Sequence, residues 1–338
     1  MSFLSLVEDF LQYMRLNKGR SERLTVVYRL ALTRLGRFMS DAGRDPLRAN
    51  HEDLILFTGK HLFDLGLKDP ISRRTHISAV RGFFIWAEHQ KHIERNPATG
   101  VPQPKVGRKI PRVMTLADIE KLMWQPDFST LAGVRDAAMM AFLAGCGLRS
   151  SGLVALNESN LVRDAVDGRP RLFLMVVEKG DRERKIPIPE QAALLVQLYL
   201  EHPDLPGVDR LLPDGDKVLF VTLRRSDIPP HEYRGEKRRF CRKRVQQVIQ
   251  RHGIKAGVDP RLLHPHAMRH AYGTELAEDD VPTITAQKLM GHADPKSTAV
   301  YQQLALRKLT RVSDRSNPLA KIKTPVSMLL SQLKGRTA

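Results

Sequence analysis

Two short stretches hold most of the side chains able to do chemistry. In "HPHAMRHAYGTEL", His266 and Arg269 stand one helical turn apart, so both can point at one ligand. In "LMGHADPKSTAVYQQL", His292 precedes Tyr301 by nine positions. Upstream, Arg149 follows the glycine-ended run "AGCGLRS", and Lys179 sits at the tip expected of a hairpin in "VVEKGDRERK". Guanidiniums offer forked donors to the non-bridging oxygens of a phosphate and stabilise charge that develops on them. A tyrosine, with a free pKa of about 10, becomes a nucleophile only where cations and a proton acceptor favour its phenolate. His266 is the acceptor expected here, and Lys179 can protonate a departing alkoxide. The set suits nucleophilic displacement at a phosphodiester and needs neither metal nor cofactor.

A metal reading starts from His264, His266, His270 and His292, since His266 and His270 have the i, i+4 spacing of helical zinc ligands. No glutamate stands where that motif requires one, so no metal is predicted. Cys146 and Cys241 form no CxxC pair and suit a reducing compartment. Taken singly, each candidate is ordinary: an arginine after a glycine turn or a lysine at a hairpin tip is usually just solvated.

The elements that must position these residues follow from periodicity. In "SRRTHISAVRGFFIWAEH", Ser72 to His89, apolar Ile77, Val80, Phe84 and Ala87 recur at three and four, as one buried helical face requires. Similar patterns at Leu4 to Leu16, Arg23 to Met39 and Glu52 to Leu65 predict an all-helical N-terminal unit. The Pro-, Gly- and Lys-rich stretch from Asn96 to Val113 reads as an extended linker. Beyond it, Thr115 caps a first helix and Thr130 to Ala144 forms an apolar one ended by glycines. Two β-rich runs joined at Lys179, Gly180 and Asp181 predict a hairpin. Helices resume at Glu190 to Glu201, Arg238 to His252, His266 to Ala277 and Thr283 to Met290. The class is mainly α with a small antiparallel sheet.

Lys and Arg number 55 against 37 acidic residues over 338 positions, a formal charge of +18 that favours a polyanionic partner, nucleic acid first. Residues 1–105 contribute +6 and residues 106–338 contribute +12, so both parts can face the same polyanion. Candidate phosphate contacts are Arg73, Arg74 and Arg81 off the buried face of the N-terminal helix, Lys105 and Lys109 in the linker, and Arg238, Arg239, Arg242 and Lys243 in "EKRRFCRKR". A solvated surface explains this last run equally well. The longest apolar stretch, Ala137 to Leu148, falls short of the roughly 20 residues of a spanning helix, so no membrane partner is predicted. Glu8 and Asp9 in a start without a basic region argue against a signal peptide, and a cytoplasmic location is expected.

Together and in this order, Arg149, Lys179, "HPHAMRH", "GH" and Tyr301 resemble the motifs of the tyrosine recombinases, also called phage integrases. The spacings of 23 positions from Arg269 to His292 and nine from His292 to Tyr301 are similar to the family's usual arrangement. "RTHISAVRGFFIWAEHQKHIERNPA" resembles the last core-binding helix of Xer-type members. The resemblance implies a helical, SAM-like core-binding domain at 1–100, a basic linker at 101–112, a catalytic domain at 113–315 and a tail at 316–338 that docks on its own domain or on a neighbouring protomer.

It also implies roles. Tyr301 would attack the scissile phosphate of double-stranded DNA, forming a 3′-phosphotyrosyl link and releasing a 5′-hydroxyl. Arg149, Arg269 and His292 would hold the phosphate, His266 would assist proton transfer and Lys179 would act as general acid. Members of the family work as tetramers on two DNA sites, and the protein can be monomeric without DNA. Integration, excision, transposition or resolution of a mobile element or replicon would follow, without ATP or a divalent metal. Two features depart from the pattern. Gly152 stands where the family usually has an acid, leaving Glu158 as a weak substitute, and the hairpin leaves Lys185 as an alternative to Lys179. A DNA-binding protein of this fold that no longer cuts, or a type IB topoisomerase, are the alternatives.

Overall fold

Two separate apolar cores form in the computed structural model, and the chain divides between them into residues 1–109 and 110–338. The structure describes residues 2–105, 112–178, 182–291, 298, 300, 301 and 305–316. Lys109, Lys179, His292 and the tail from 317 onward, expected to dock, lie outside the described residues.

The first unit is helical: α1 Phe3–Leu16, α2 Glu22–Asp41, α3 His51–Leu56, α4 Leu62–Asp64 and α5 Pro70–His89. Polar side chains close the helix starts. Asn50 and Asp53 cap α3 reciprocally, while Asp69 accepts from the amide of Ser72 with Pro70 at the first helical position. The single helix expected over Glu52 to Leu65 is interrupted by a π-helical turn at Phe57–His61. Ile77, Val80, Phe84 and Ala87 are buried, as the periodicity predicts. Phe83 and Trp86 are buried too and pack on Phe10, so the inner face of α5 is wider than one stripe. Arg74 is exposed, Arg81 is half-buried, and the Arg73 guanidinium lies 5.5 Å from the Phe63 ring centroid.

The second unit comprises α6 Leu116–Met123, α7 Leu131–Gly145, α8 Ser150–Ala155, strands β1 Leu161–Val166, β2 Arg169–Glu178 and β3 Arg182–Pro187, then α9 Glu190–Leu200, α10 Arg242–Lys255, α11 Pro265–Glu278, α12 Thr283–Met290 and α13 Leu306–Ser316. Thr115 and Asp118 form the capping box of α6. Helix α7 is apolar on nearly every side and runs through the core, as an all-round hydrophobic helix must. Phe142 on α7 and Tyr199 on α9 both pack on Phe220. The buried Asp136 of α7 takes hydrogen bonds from Arg135, Arg251 and His252, tying α7 to α10. Burial alone would raise its carboxyl's pKa; His252 and the two guanidiniums outweigh that and lower it.

The sheet is an antiparallel meander in the order β1-β2-β3, with Val162 opposite Phe173 and Val176 opposite Arg184. The hairpin accounts for β2 and β3; β1 is an additional edge strand. Helix α10 starts at Arg242 rather than at Arg238, because Gly235–Arg238 forms a 3-10 turn and the chain then extends through Arg239. At the C-terminal side, the buried Glu278 carboxylate accepts from the amides of Arg307 at 3.0 Å and Lys308 at 2.7 Å, seating the start of α13 on the end of α11.

Candidate active site

Arg149 reaches its place through the turn after α7. Gly147 there has φ of +59°, and the Tyr272 ring lies against the spot a β-carbon would occupy, so both conformation and space favour glycine. Arg149 follows in extended conformation as the N-cap residue of α8 and donates through Nη2 to the carbonyl of Gly291, 2.8 Å away. Arg269, 3 % exposed on α11, joins the same turn to the same helix end. Its Nη1 donates to the carbonyl of Gly147, and its Nη2 to that of Met290 at 2.5 Å. Both arginines are thus fastened to the end of α12, where Gly291 closes the helix with φ of +62°. His292 is the next residue in the chain.

Tyr301 is 3 % exposed, and its ring rests on Gly273 of α11. A β-carbon at Gly273 would stand 2.7 Å from Tyr301 Cζ, so glycine alone leaves room for the ring. The phenol and Nδ1 of His270 share a 3.0 Å hydrogen bond. His266 is the acceptor expected from the sequence; in the structure the phenol's hydrogen-bond partner is instead His270, one turn further along the same helix. Burial raises the Tyr301 pKa, against the lowering pull of Arg269 and Arg149. The hydroxyl is therefore protonated at neutral pH. His270 is pushed down to about 4, by burial first and then by His266, His264 and Arg269. It is neutral at pH 7 and a weak base. His266 is lowered for similar reasons, with burial leading and His264, Arg269 and Arg149 adding to it.

Three of the remaining candidates have other work. His264 is the N-cap of α11, its Nδ1 accepting from the amide of Ala267 at 3.0 Å. Glu158 pairs with Arg210 at 2.8 Å, which commits the carboxylate considered as a substitute at the site. Lys185 pairs with Asp164 and lies 4.4 Å from the Phe173 ring centroid, held on the sheet. Around Gly152, nothing lies within 4 Å of where a β-carbon would stand. Arg239 donates to the carbonyls of Val154 and Leu156 and to Asn157, so its guanidinium is engaged inside the unit. Arg238 stacks on Tyr233, whereas Arg242, Lys243 and Lys105 are exposed.

Arg149, His266, Arg269 and Tyr301 thus come together from helix α11, the turn after α7 and the segment before α13, with His270 lying between His266 and the phenol. Sequence reasoning missed His270 as the phenol's partner and Gly273 as its seat. The signal for His270 was its i, i+4 spacing from His266, which drew attention only as a metal-ligand spacing.

The protein is a mostly helical pair of units, the second carrying a three-stranded sheet, two arginines bonded to the end of α12 and a buried tyrosine whose ring rests on the helix that bears one of them. The model of the phage integrase family matches residues 112–307, and that of the phage integrase N-terminal SAM-like domain matches residues 7–91. The tyrosine recombinase XerD of Pseudomonas putida is 31% identical over 320 residues, covering 93% of this chain and 97% of the relative. The tyrosine recombinase XerC of Shigella flexneri is 29% identical over 315 residues, covering 93% and 97%. Among solved structures, the XerH site-specific recombinase in its post-cleavage complex with palindromic difH substrate has the same fold, with a TM-score of 0.69 at 16% identity over 93% of this chain and 84% of that one. A lambda integrase tetramer bound to a Holliday junction gives 0.61 at 15% identity over 89% and 77%. The chain belongs to the phage integrase family, and its enzymatic class is that of the tyrosine recombinases.

Proposed function

We propose that the protein is a site-specific recombinase of double-stranded DNA in which Tyr301 is the nucleophile. Its oxygen attacks the scissile phosphorus, the phosphorus–O5′ bond breaks, and a 3′-phosphotyrosyl link stores the bond energy. Arg149, Arg269 and His292 bind the non-bridging oxygens, and the guanidiniums offset charge building up in the transition state. Lys179 gives a proton to the departing 5′-oxygen. A 5′-hydroxyl from a second DNA then reverses the chemistry on a new partner, with no metal and no ATP. The observation that carries this reading is the meeting of Arg149 and Arg269 at the end of α12 with Tyr301 packed on the same helix as Arg269.

The raised pKa of Tyr301 constrains the mechanism. Burial lifts it above that of a free phenol, whose phenolate is already disfavoured at neutral pH. The proton must therefore leave as the oxygen attacks, and the hydroxyl must first part from His270. His266, at the surface of the site, takes that proton once DNA is in place. This division gives the two histidines of α11 different tasks, His270 in the DNA-free state and His266 in the reacting one.

DNA is bound by a core-binding domain at 1–100 and by a catalytic domain at 113–315, joined by the basic linker. Arg73, Arg74, Arg81, Lys105, Lys109, Arg242 and Lys243 meet phosphates, and Arg238 and Arg239 support the surface from which the last two project. Two DNA sites are joined by a tetramer, with residues 316–338 docking in cis or on the next protomer. Action on a mobile element or replicon in the cytoplasm fits the family. The experiment is incubation with a nicked duplex carrying the protein's own site. A covalent complex on denaturing gels that vanishes in Tyr301→Phe supports the reading; a complex that persists in that variant overturns it.

A further inference from the structure

Arg184 belongs to none of the roles above, yet it reaches the same helix end as Arg149 and Arg269. It lies on β3 two residues before the buried Ile186 and opposite the buried Val176, so strand alternation puts it on the inward face of the sheet. Its Nη1 donates to the carbonyls of Lys288 at 2.9 Å and Leu289 at 2.6 Å. The next two carbonyls, of Met290 and Gly291, accept from Arg269 and Arg149. Three guanidiniums from a strand, a helix and a turn thus take four successive carbonyls at one helix end.

The last carbonyls of a helix have no partner within it and carry the negative end of its dipole, so cations are favoured there. Two of the three cations are candidate phosphate ligands. Arg184 sits instead on the strand that leaves the hairpin bearing Lys179, and its acceptors are the third and fourth residues before His292. One side chain therefore joins the element that carries the candidate general acid to the helix end that carries the candidate phosphate-binding histidine.

We propose that Arg184 is a positioning residue of the phosphoryl-transfer site, which sets the last turn of α12, and through it His292, in register with the hairpin strand. The inference rests on the catalytic reading given above. One Nη1 bonded to two successive carbonyls couples β3 to the end of α12, so a shift of the strand would be passed to that helix end. A general structural tie would hold the domain together; a positioning tie acts on rate through the histidine that follows.

The test combines Arg184→Met, Arg184→Lys and Tyr301→Phe with a His292→Ala background, on the full chain and a nicked duplex carrying its own site. In Arg184→Met, covalent complex forms between about ten- and a hundredfold more slowly at saturating DNA, the cost of misplacing a reacting group by a fraction of an ångström to an ångström. DNA affinity stays within about twofold of the parent. Arg184→Lys recovers part of the rate, because an ammonium still donates to a carbonyl. In the His292→Ala background Arg184→Met slows the reaction by less than about twofold further, as expected when one residue acts through the other. An unchanged rate in Arg184→Met, a loss that adds in full to that of His292→Ala, or a rate loss matched by lost affinity overturns the proposal while leaving Tyr301 as nucleophile. Covalent complex that persists in Tyr301→Phe overturns the catalytic reading, and this inference with it.

Discussion

Replacing Gly273 by alanine tests how Tyr301 is seated. The added β-carbon would stand 2.7 Å from Tyr301 Cζ and 2.8 Å from Cε1 and Cε2, well inside van der Waals contact. Gly273 is buried in the middle of α11, so its backbone has little freedom to yield. The ring must move by close to an ångström, which stretches its 3.0 Å bond to His270 beyond hydrogen-bond range. Overpacking costs about 1–3 kcal/mol and the lost hydrogen bond about 1 kcal/mol, while alanine in a helix returns about 1 kcal/mol relative to glycine. The net destabilisation is about 1–3 kcal/mol, or about 2–10 °C in the melting temperature of a domain this size. A second readout is the phenol itself. Burial holds the Tyr301 pKa above its ordinary value, and a displaced, better solvated ring titrates lower than the seated one. An alkaline absorbance titration of each protein, subtracted from its Tyr301→Phe partner, isolates this one phenol among six tyrosines. A group whose folded pKa is raised contributes stability below its unfolded value and loses it as pH rises through the folded one. The parent therefore loses stability above pH 10 more steeply than Gly273→Ala does. Unchanged melting together with an unchanged phenol titration would refute the seating of Tyr301 on Gly273.

His270, with a pKa depressed to about 4, stabilises the fold fully above its unfolded pKa of about 6.5, and that contribution is lost as pH falls toward 4. The melting temperature should accordingly fall between pH 7 and pH 5, by less in His270→Gln than in the parent; equal slopes count against the assignment. Arg269→Lys keeps the charge but cannot reach both Gly147 and Met290, so covalent-complex formation should drop by about 10²–10³, read by quenched-flow sampling on gels. Glu278→Ala removes the acceptor of two amides at the start of α13 and should cost about 0.5–2 kcal/mol, visible as faster amide exchange over 305–316 with the core of the unit unaffected.

How far the residue pattern reaches depends on whether burial constrains an element from one side or from many. Helix α12 matches its expected bounds, and α7 and α11 do so within a residue at each end, because apolar period, capping polar groups and terminal glycines all act locally. Strand β1 escaped notice for the opposite reason. As an edge strand with four of its six residues exposed, it needs no strict alternation, and its pairing with β2 is what makes it a strand. The early start expected for α10 failed because Arg239 is drawn out of helical conformation by acceptors more than eighty positions away. The site shows the same split. Arg149, His266, Arg269 and Tyr301 were legible as types at characteristic spacings, whereas the contact of His270 with Tyr301 spans 31 positions and depends on how α11 is rotated. Arg184 looked like one charge among many in "GDRERK", and only the approach of β3 to the end of α12 distinguishes it.

The central claim is that Tyr301 becomes covalently joined to a 3′-phosphate. It is tested most directly by trapping the protein on a nicked duplex bearing its site, digesting with protease and nuclease, and sequencing the modified peptide by mass spectrometry. The account predicts a nucleotide on Tyr301, within the peptide that follows "LMGHADPKSTAV", and no adduct in Tyr301→Phe. A nucleotide carried on any other residue, or cleaved DNA with no protein attached, would contradict it.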